Sequence, residues 1–127
     1  TESHRNTRAA GFRILLELGE LQQIVDYTAY FQPASARENA GNARAGDAVG
    51  QQWVRGWGKV ALIRDLGLLL PPANAAAGKA LFEAWQNQAV ALEQGIGVSV
   101  GAAAEAAISA EIQRMREQTL STLQQLD

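Results

Sequence analysis

The sequence predicts an all-α protein, an antiparallel up-down-up-down four-helix bundle in which residues 1–127 form one domain. Three observations carry that expectation. Alanine, the strongest helix former, occurs 24 times. Proline occurs only three times. Apolar residues recur in alternating steps of three and four, the spacing of a seam between packed helices. With 47% hydrophobic residues, 19% charged residues and a net charge of −2, the chain has the composition of a folded domain with a core. Its length suits one such domain.

The first helix is predicted over residues 6–30. Ile14, Leu18, Leu21, Val25 and Thr28 form its seam, and Leu15, Ile24 and Phe31 widen the stripe. Pro33 has no amide hydrogen and disfavours helical geometry at Gln32, so a stop or kink is expected there. Residues 34–50, with Asn39, Gly41, Asn42, Gly46 and Gly50, read as the longest irregular stretch or a frayed helix. The second helix is expected from Asp47 or Val49 to Leu70, with Trp53, Trp57, Val60 and Arg64 on one side. Gly56 and Gly58 flank Trp57 and imply a close helix–helix approach or a bend.

Pro71-Pro72 ends the second helix, and Asn74 is the predicted N-cap of the third. That helix extends to about residue 94, with Leu81, Trp85, Ala89 and Leu92 facing inward. Gly95, Gly97 and Gly101 mark the next connection, and Ser99 is the predicted cap of helix four. Ile108, Ile112, Met115, Thr119, Thr122 and Leu126 then repeat the four-three rhythm to the end. An even number of alternating helices places Thr1 and Asp127 at one end of the bundle.

Several chemistries fall away. Without cysteine there are no disulfides, thiolate zinc sites, iron–sulfur clusters or covalently attached haem. The one histidine, His4, has no acidic partner at metal-ligand spacing and lies in a predicted terminal segment. Neither a di-iron bundle site nor a phosphotransfer histidine is therefore expected. Haem held non-covalently would find an axial ligand only in His4 or Met115. Glu17, Glu20, Glu83, Glu93, Glu105 and Glu111 fall beside the apolar stripes and read as solvated. Arg55-Gly-Trp-Gly-Lys59 lacks the spacing of a phosphate loop. Basic residues are dispersed, apart from Arg5, Arg8 and Arg13, so no nucleic-acid partner is expected. No apolar run approaches the roughly 18 residues that span a bilayer, and nothing resembles a signal peptide. The chain reads as a non-enzyme without cofactor or metal.

One cluster remains. Arg37, Asn39 and Arg44 follow the first helix, and Arg55, Trp57 and Lys59 lie early in the second. In an antiparallel hairpin these stretches share the end opposite the termini. Guanidinium groups match carboxylates and oxyanions, so the cluster is a candidate site for a small anionic or amino-acid-like ligand. The plainer reading makes Trp53 and Trp57 core residues and the arginines solvated ones.

The stretch Leu21-Gln-Gln-Ile-Val-Asp-Tyr-Thr-Ala-Tyr-Phe-Gln32, followed by Pro33-Ala-Ser-Ala-Arg-Glu-Asn39, resembles the first helix of bacterial extracytoplasmic sensor domains of the nitrate- and nitrite-sensing type. Phe31-Gln32 and Asn39 fit that spacing. Ala34-Ser35-Ala36 stand where the family has Glu-Arg-Gly, so its anion-sensing arginine is missing from its position and Arg37 lies nearby. The resemblance implies a ligand-binding sensory domain on the periplasmic face of the inner membrane. Its parent would be a chemoreceptor, sensor kinase or cyclic-dinucleotide enzyme. Three features point the same way: a start at Thr1 rather than methionine, no stop signal at Gln124-Gln-Leu-Asp127, and the absence of cysteine. On that expectation the domain is excised from a longer receptor, flanking membrane segments are removed, and a homodimer forms through helices 1 and 4. The rival expectation is a soluble helical adaptor or chaperone-like bundle that binds a partner helix.

Overall fold

Four α-helices carry nearly all the described residues: α1 (Glu2–Glu38), α2 (Ala43–Gly67), α3 (Pro72–Glu93) and α4 (Val100–Gln124). The computed structural model describes the backbone of residues 2–38, 43–93 and 100–126, and the side chains of residues 4–26, 54–88 and 106–126. No strand occurs among the described residues. Helix α1 packs on α2 and α4, and α3 packs on the same two, so the four close around one core.

The seam of α1 is as the spacing predicts: Ile14, Leu18, Leu21 and Val25 are buried, as is Ile24. The side chains of Thr28 and Phe31 lie outside the described residues. Two boundaries differ from expectation. Helix α1 begins at Glu2, so His4 lies within it, and it passes Pro33 to end at Glu38. A helical proline forfeits one hydrogen bond and crowds the carbonyl four residues back, a local penalty. Ala34, Ala36 and Glu38 are good helix formers and carry the helix onward. The predicted irregular stretch is helical at residues 34–38 and 43–50, while Asn39, Gly41 and Asn42 lie outside the described residues. Gly46 and Gly50 each weaken the first turns of α2 by about 1 kcal/mol relative to alanine without breaking them.

The buried face of α2 is Gly56, Val60, Ile63 and Gly67. This face is rotated from the predicted one: Trp57 and Arg64 are half-buried on the flank towards α3, and the Trp53 side chain lies outside the described residues. Of the two glycines beside Trp57, only Gly56 marks a close approach. A Cβ there would lie 2.2 Å from two ring atoms of Trp85, whereas a Cβ at Gly58 would meet nothing within 4 Å.

Helix α2 ends at Gly67, three residues before the predicted Leu70, and the chain tightens into i→i−3 bonds. Leu68 N–H donates to the Asp65 carbonyl at 3.2 Å, Leu69 to Leu66 at 3.0 Å and Leu70 to Gly67 at 3.1 Å. Pro72 opens α3, where a missing amide hydrogen costs least. The Pro71 carbonyl accepts from the amides of Asn74 (2.9 Å) and Ala75 (3.3 Å). Asn74 is therefore not the cap. It lies in the first turn, fully buried, and its Oδ1 accepts from Thr122 Oγ1 at 2.8 Å.

In α3, Leu81 and Trp85 are fully buried as predicted, and the side chains of Ala89 and Leu92 lie outside the described residues. Gly95, Gly97 and Ser99 lie outside them as well, and Gly101 belongs to α4. The predicted α4 seam is buried at Ile108, Ile112, Met115, Thr119 and Thr122. Each large apolar side chain so buried contributes roughly 1.5–3 kcal/mol. Contacts fix the levels of the helices: Gly11 lies against Leu123, and Gln22 Nε2 donates to Ser109 Oγ at 3.0 Å. Gly67 lies against Asn74, Gly78 against Arg64 and Gly56 against Trp85.

Candidate functional site

The seam between α1 and α2 brings charge to the edge of a core whose other buried polar side chains, Asn74, Thr119 and Thr122, are neutral. Arg13, Glu17 and Glu20 recur at helical spacing on one side of α1, and Arg55 and Lys59, four apart, do so on α2. Lys59 Nζ donates to Glu17 Oε2 at 2.6 Å and also to Glu20 Oε2. Arg13 Nε donates to Glu17 Oε1 at 2.9 Å, so both oxygens of Glu17 are engaged. The Glu17 side chain is only 4% exposed and that of Lys59 13%, while Glu20 is 38% exposed. The expectation that Glu17 is solvated is thus corrected, whereas Glu20 keeps its contact with solvent. Burying a carboxylate costs free energy, which the hydrogen bonds from Lys59 and Arg13 offset here.

Two ionisations respond to this arrangement. Burial acts to lower the Lys59 pKa, but the hydrogen bonds and charges of Glu17 and Glu20 outweigh it and hold the ammonium above the usual lysine value. The Lys59 hydrogen bond, and then its charge, pull Glu20 below the usual carboxylate value, with smaller help from Arg55 and Arg13.

The predicted anion cluster is distributed unevenly. The Arg37 and Arg44 side chains, and Asn39 altogether, lie outside the described residues. Arg55 is exposed on the side of α2 that faces Glu20. Lys59 lies on that same side, with both carboxylates upon it. Trp57 points away, towards α3, where it meets Phe82 edge-to-face (centroids 5.7 Å apart, planes at 67°). The Arg64 guanidinium lies over the Phe82 ring, 4.3 Å from its centroid. Residues two apart in a helix face nearly opposite directions, so Trp57 does not share a site with Lys59. Sequence reasoning missed Glu17 as a partner. Its signal is present, because Glu17 stands three residues after Ile14 and four before Leu21, inside the seam.

Elsewhere an open groove of 440 Å³ runs between α2 and α3, bordered by Arg64, Leu68, Lys79, Phe82 and Glu83. Among the described residues, no group of three histidine, cysteine or acidic side chains could hold a metal ion. No described helix is long and apolar enough to cross a membrane.

No protein-family model matches the chain, and no curated protein or solved structure is similar to it.

Proposed function

We propose that the chain is an antiparallel up-down-up-down bundle acting as the extracytoplasmic ligand-binding sensory domain of a bacterial transmembrane receptor. It binds a small anion or amino-acid-like molecule and performs no catalysis. The helix order is supported by the levels of contact: Gly11 meets Leu123 while Gln22 meets Ser109, and Gly67 meets Asn74 while Gly56 meets Trp85. The observation that carries the sensory reading is the shared Lys59 ammonium. Buried Glu17 is a fixed partner, and half-exposed Glu20 is an exchangeable one. A carboxylate or oxyanion arriving beside Arg55 competes with Glu20 for Lys59, releasing one of the two ties between α1 and α2. A ligand that binds the released arrangement more tightly shifts the population towards it, and a small helix displacement follows.

A thermal-shift screen of small carboxylates, oxyanions and amino acids tests this. The expected result is a ligand whose stabilisation disappears in Arg55→Gln. No shift with any such compound, together with a parent gene that lacks flanking membrane spans, overturns it. The homodimer through α1 and α4 is supported by Phe12 (58% exposed) and Leu16 (57%), one turn apart on α1, and by Leu120 (41%) on α4. Those same residues favour the second reading, a helical adaptor that binds a partner helix.

A further inference from the structure

We propose that the groove between α2 and α3 binds a zwitterionic α-amino acid with a large apolar side chain. Two glycines bring the helices together at this level. A Cβ at Gly78 would lie 3.3 Å from Arg64 Cα, and one at Gly67 would lie 3.3 Å from the Asn74 carbonyl oxygen. Beside that backbone contact stand only Ala75, half-buried, and Ala76, exposed. Their methyl groups are too short to fill the space, which opens as a groove of 440 Å³, the size of a small-molecule site. Leu68, Ala75, Ala76 and Phe82 make its lining mostly apolar. The Phe82 ring is held in place by Trp57 at its edge and by the Arg64 guanidinium over its face.

The charges of the groove select the ligand. Arg64 and Lys79 line it together with Glu83, and Asp65 accepts from Arg64 Nε at 3.3 Å. The four sum to zero, so the groove favours neither a simple anion nor a simple cation. A zwitterion answers both signs. Lys79 and Glu83 are exposed four residues apart on α3, a spacing that sets two side chains side by side. They form no ion pair with each other among the described residues. An amino acid carries its ammonium and carboxylate on one carbon and bridges them. The ammonium donates to Glu83, and the carboxylate accepts from Lys79 and from the remaining N–H groups of Arg64. The apolar side chain then lies along Leu68 and the two alanines. This inference goes beyond the sensory reading, whose test reads Arg55 on the side of α2 that faces α1.

Isothermal titration of the full chain with L-leucine and L-phenylalanine tests it. Each amino acid is compared with its deaminated analogue, its decarboxylated analogue and glycine. Saturable binding of an apolar amino acid is expected, about tenfold tighter than that of any compound lacking one of the three groups. Glu83→Gln erases the preference over the deaminated analogue, and Lys79→Gln narrows the preference over the decarboxylated one. A purely structural role for either residue would leave these preferences in place. Ala76→Leu fills the groove without changing its charge and abolishes binding. Circular dichroism establishes that each variant folds. The proposal is overturned by absence of saturable binding of both amino acids, by analogues that bind as tightly, or by binding and preferences that all three variants retain. Binding that is lost in Arg55→Gln and kept in Lys79→Gln/Glu83→Gln also overturns it, and assigns the ligand to the Lys59 site instead.

Discussion

Replacing Gly56 by alanine places a methyl group 2.2 Å from two ring atoms of Trp85. Carbon atoms settle at about 3.5–4.0 Å, so the indole must retreat by more than an ångström. Trp85 is fully buried, so its ring moves only at the expense of its core neighbours. Overpacking of this kind costs about 1–3 kcal/mol, and an overlap this deep belongs at the upper end. The substitution also gains about 1 kcal/mol, because alanine favours helix over glycine. Gly58→Ala, two residues along the same helix, gains that term alone, since a Cβ there meets nothing within 4 Å. The difference between the two variants isolates the clash, free of helix propensity, and is expected at about 2–3 kcal/mol. Urea denaturation followed by far-ultraviolet circular dichroism measures it, and Trp85→Phe in the Gly56→Ala background should recover part of the loss. Two alanine variants equal within about 0.5 kcal/mol, at unchanged denaturant slope, would refute the close α2–α3 packing.

Two further perturbations probe the polar groups of the core. Lys59→Met leaves buried Glu17 with Arg13 alone and is expected to cost about 3 kcal/mol, near 10 °C in melting temperature by calorimetry. The same pairing sets the pH limits of stability. Glu20 is held below its ordinary 4.5, so its contribution is present above that pH and lost as pH falls further. Lys59 is held above its ordinary 10.5, so its contribution is complete below that pH and lost as pH rises beyond it. Melting curves of Lys59→Met should lose the alkaline decline. Thr119 is fully buried, and its hydroxyl has no hydrogen-bond partner among the described residues. Thr119→Val, nearly the same shape, should therefore raise stability by about 1 kcal/mol in urea titration. An unchanged or lower midpoint would show that the hydroxyl is satisfied.

The seams of α1 and α4 were legible because their periodicity is strong: Ile14, Leu18, Leu21 and Val25, and Ile108, Ile112 and Met115, are all buried. The rotation of α2 was harder to read. Tryptophan's size suggests that Trp57 is the core residue, yet Gly56 faces inward because the Trp85 indole fills the space a side chain would need. Pro33 shows a local rule yielding to its neighbours, and Asn74 shows the reverse risk. A residue type suited to capping was placed by its side chain's bond to Thr122, 48 positions away, which no local pattern contains. The charge seam was half legible. Lys59 was visible as a cation, but its carboxylates lie on another helix, and only the fold brings them to it.

Two of the polar links between helices, Asn74 with Thr122 and Lys59 with its two carboxylates, differ in reach. Asn74 and Thr122 are short side chains joined at 2.8 Å inside the core. A slide of α4 by one turn, about 5.4 Å, would strand the amide oxygen, so that seam is riveted. Lys59 spans its seam on a flexible four-carbon stem and can follow Glu17 and Glu20 through a small displacement, as a mooring line follows a boat. Motion between α3 and α4 must break a bond first, whereas motion between α1 and α2 need only stretch a tether.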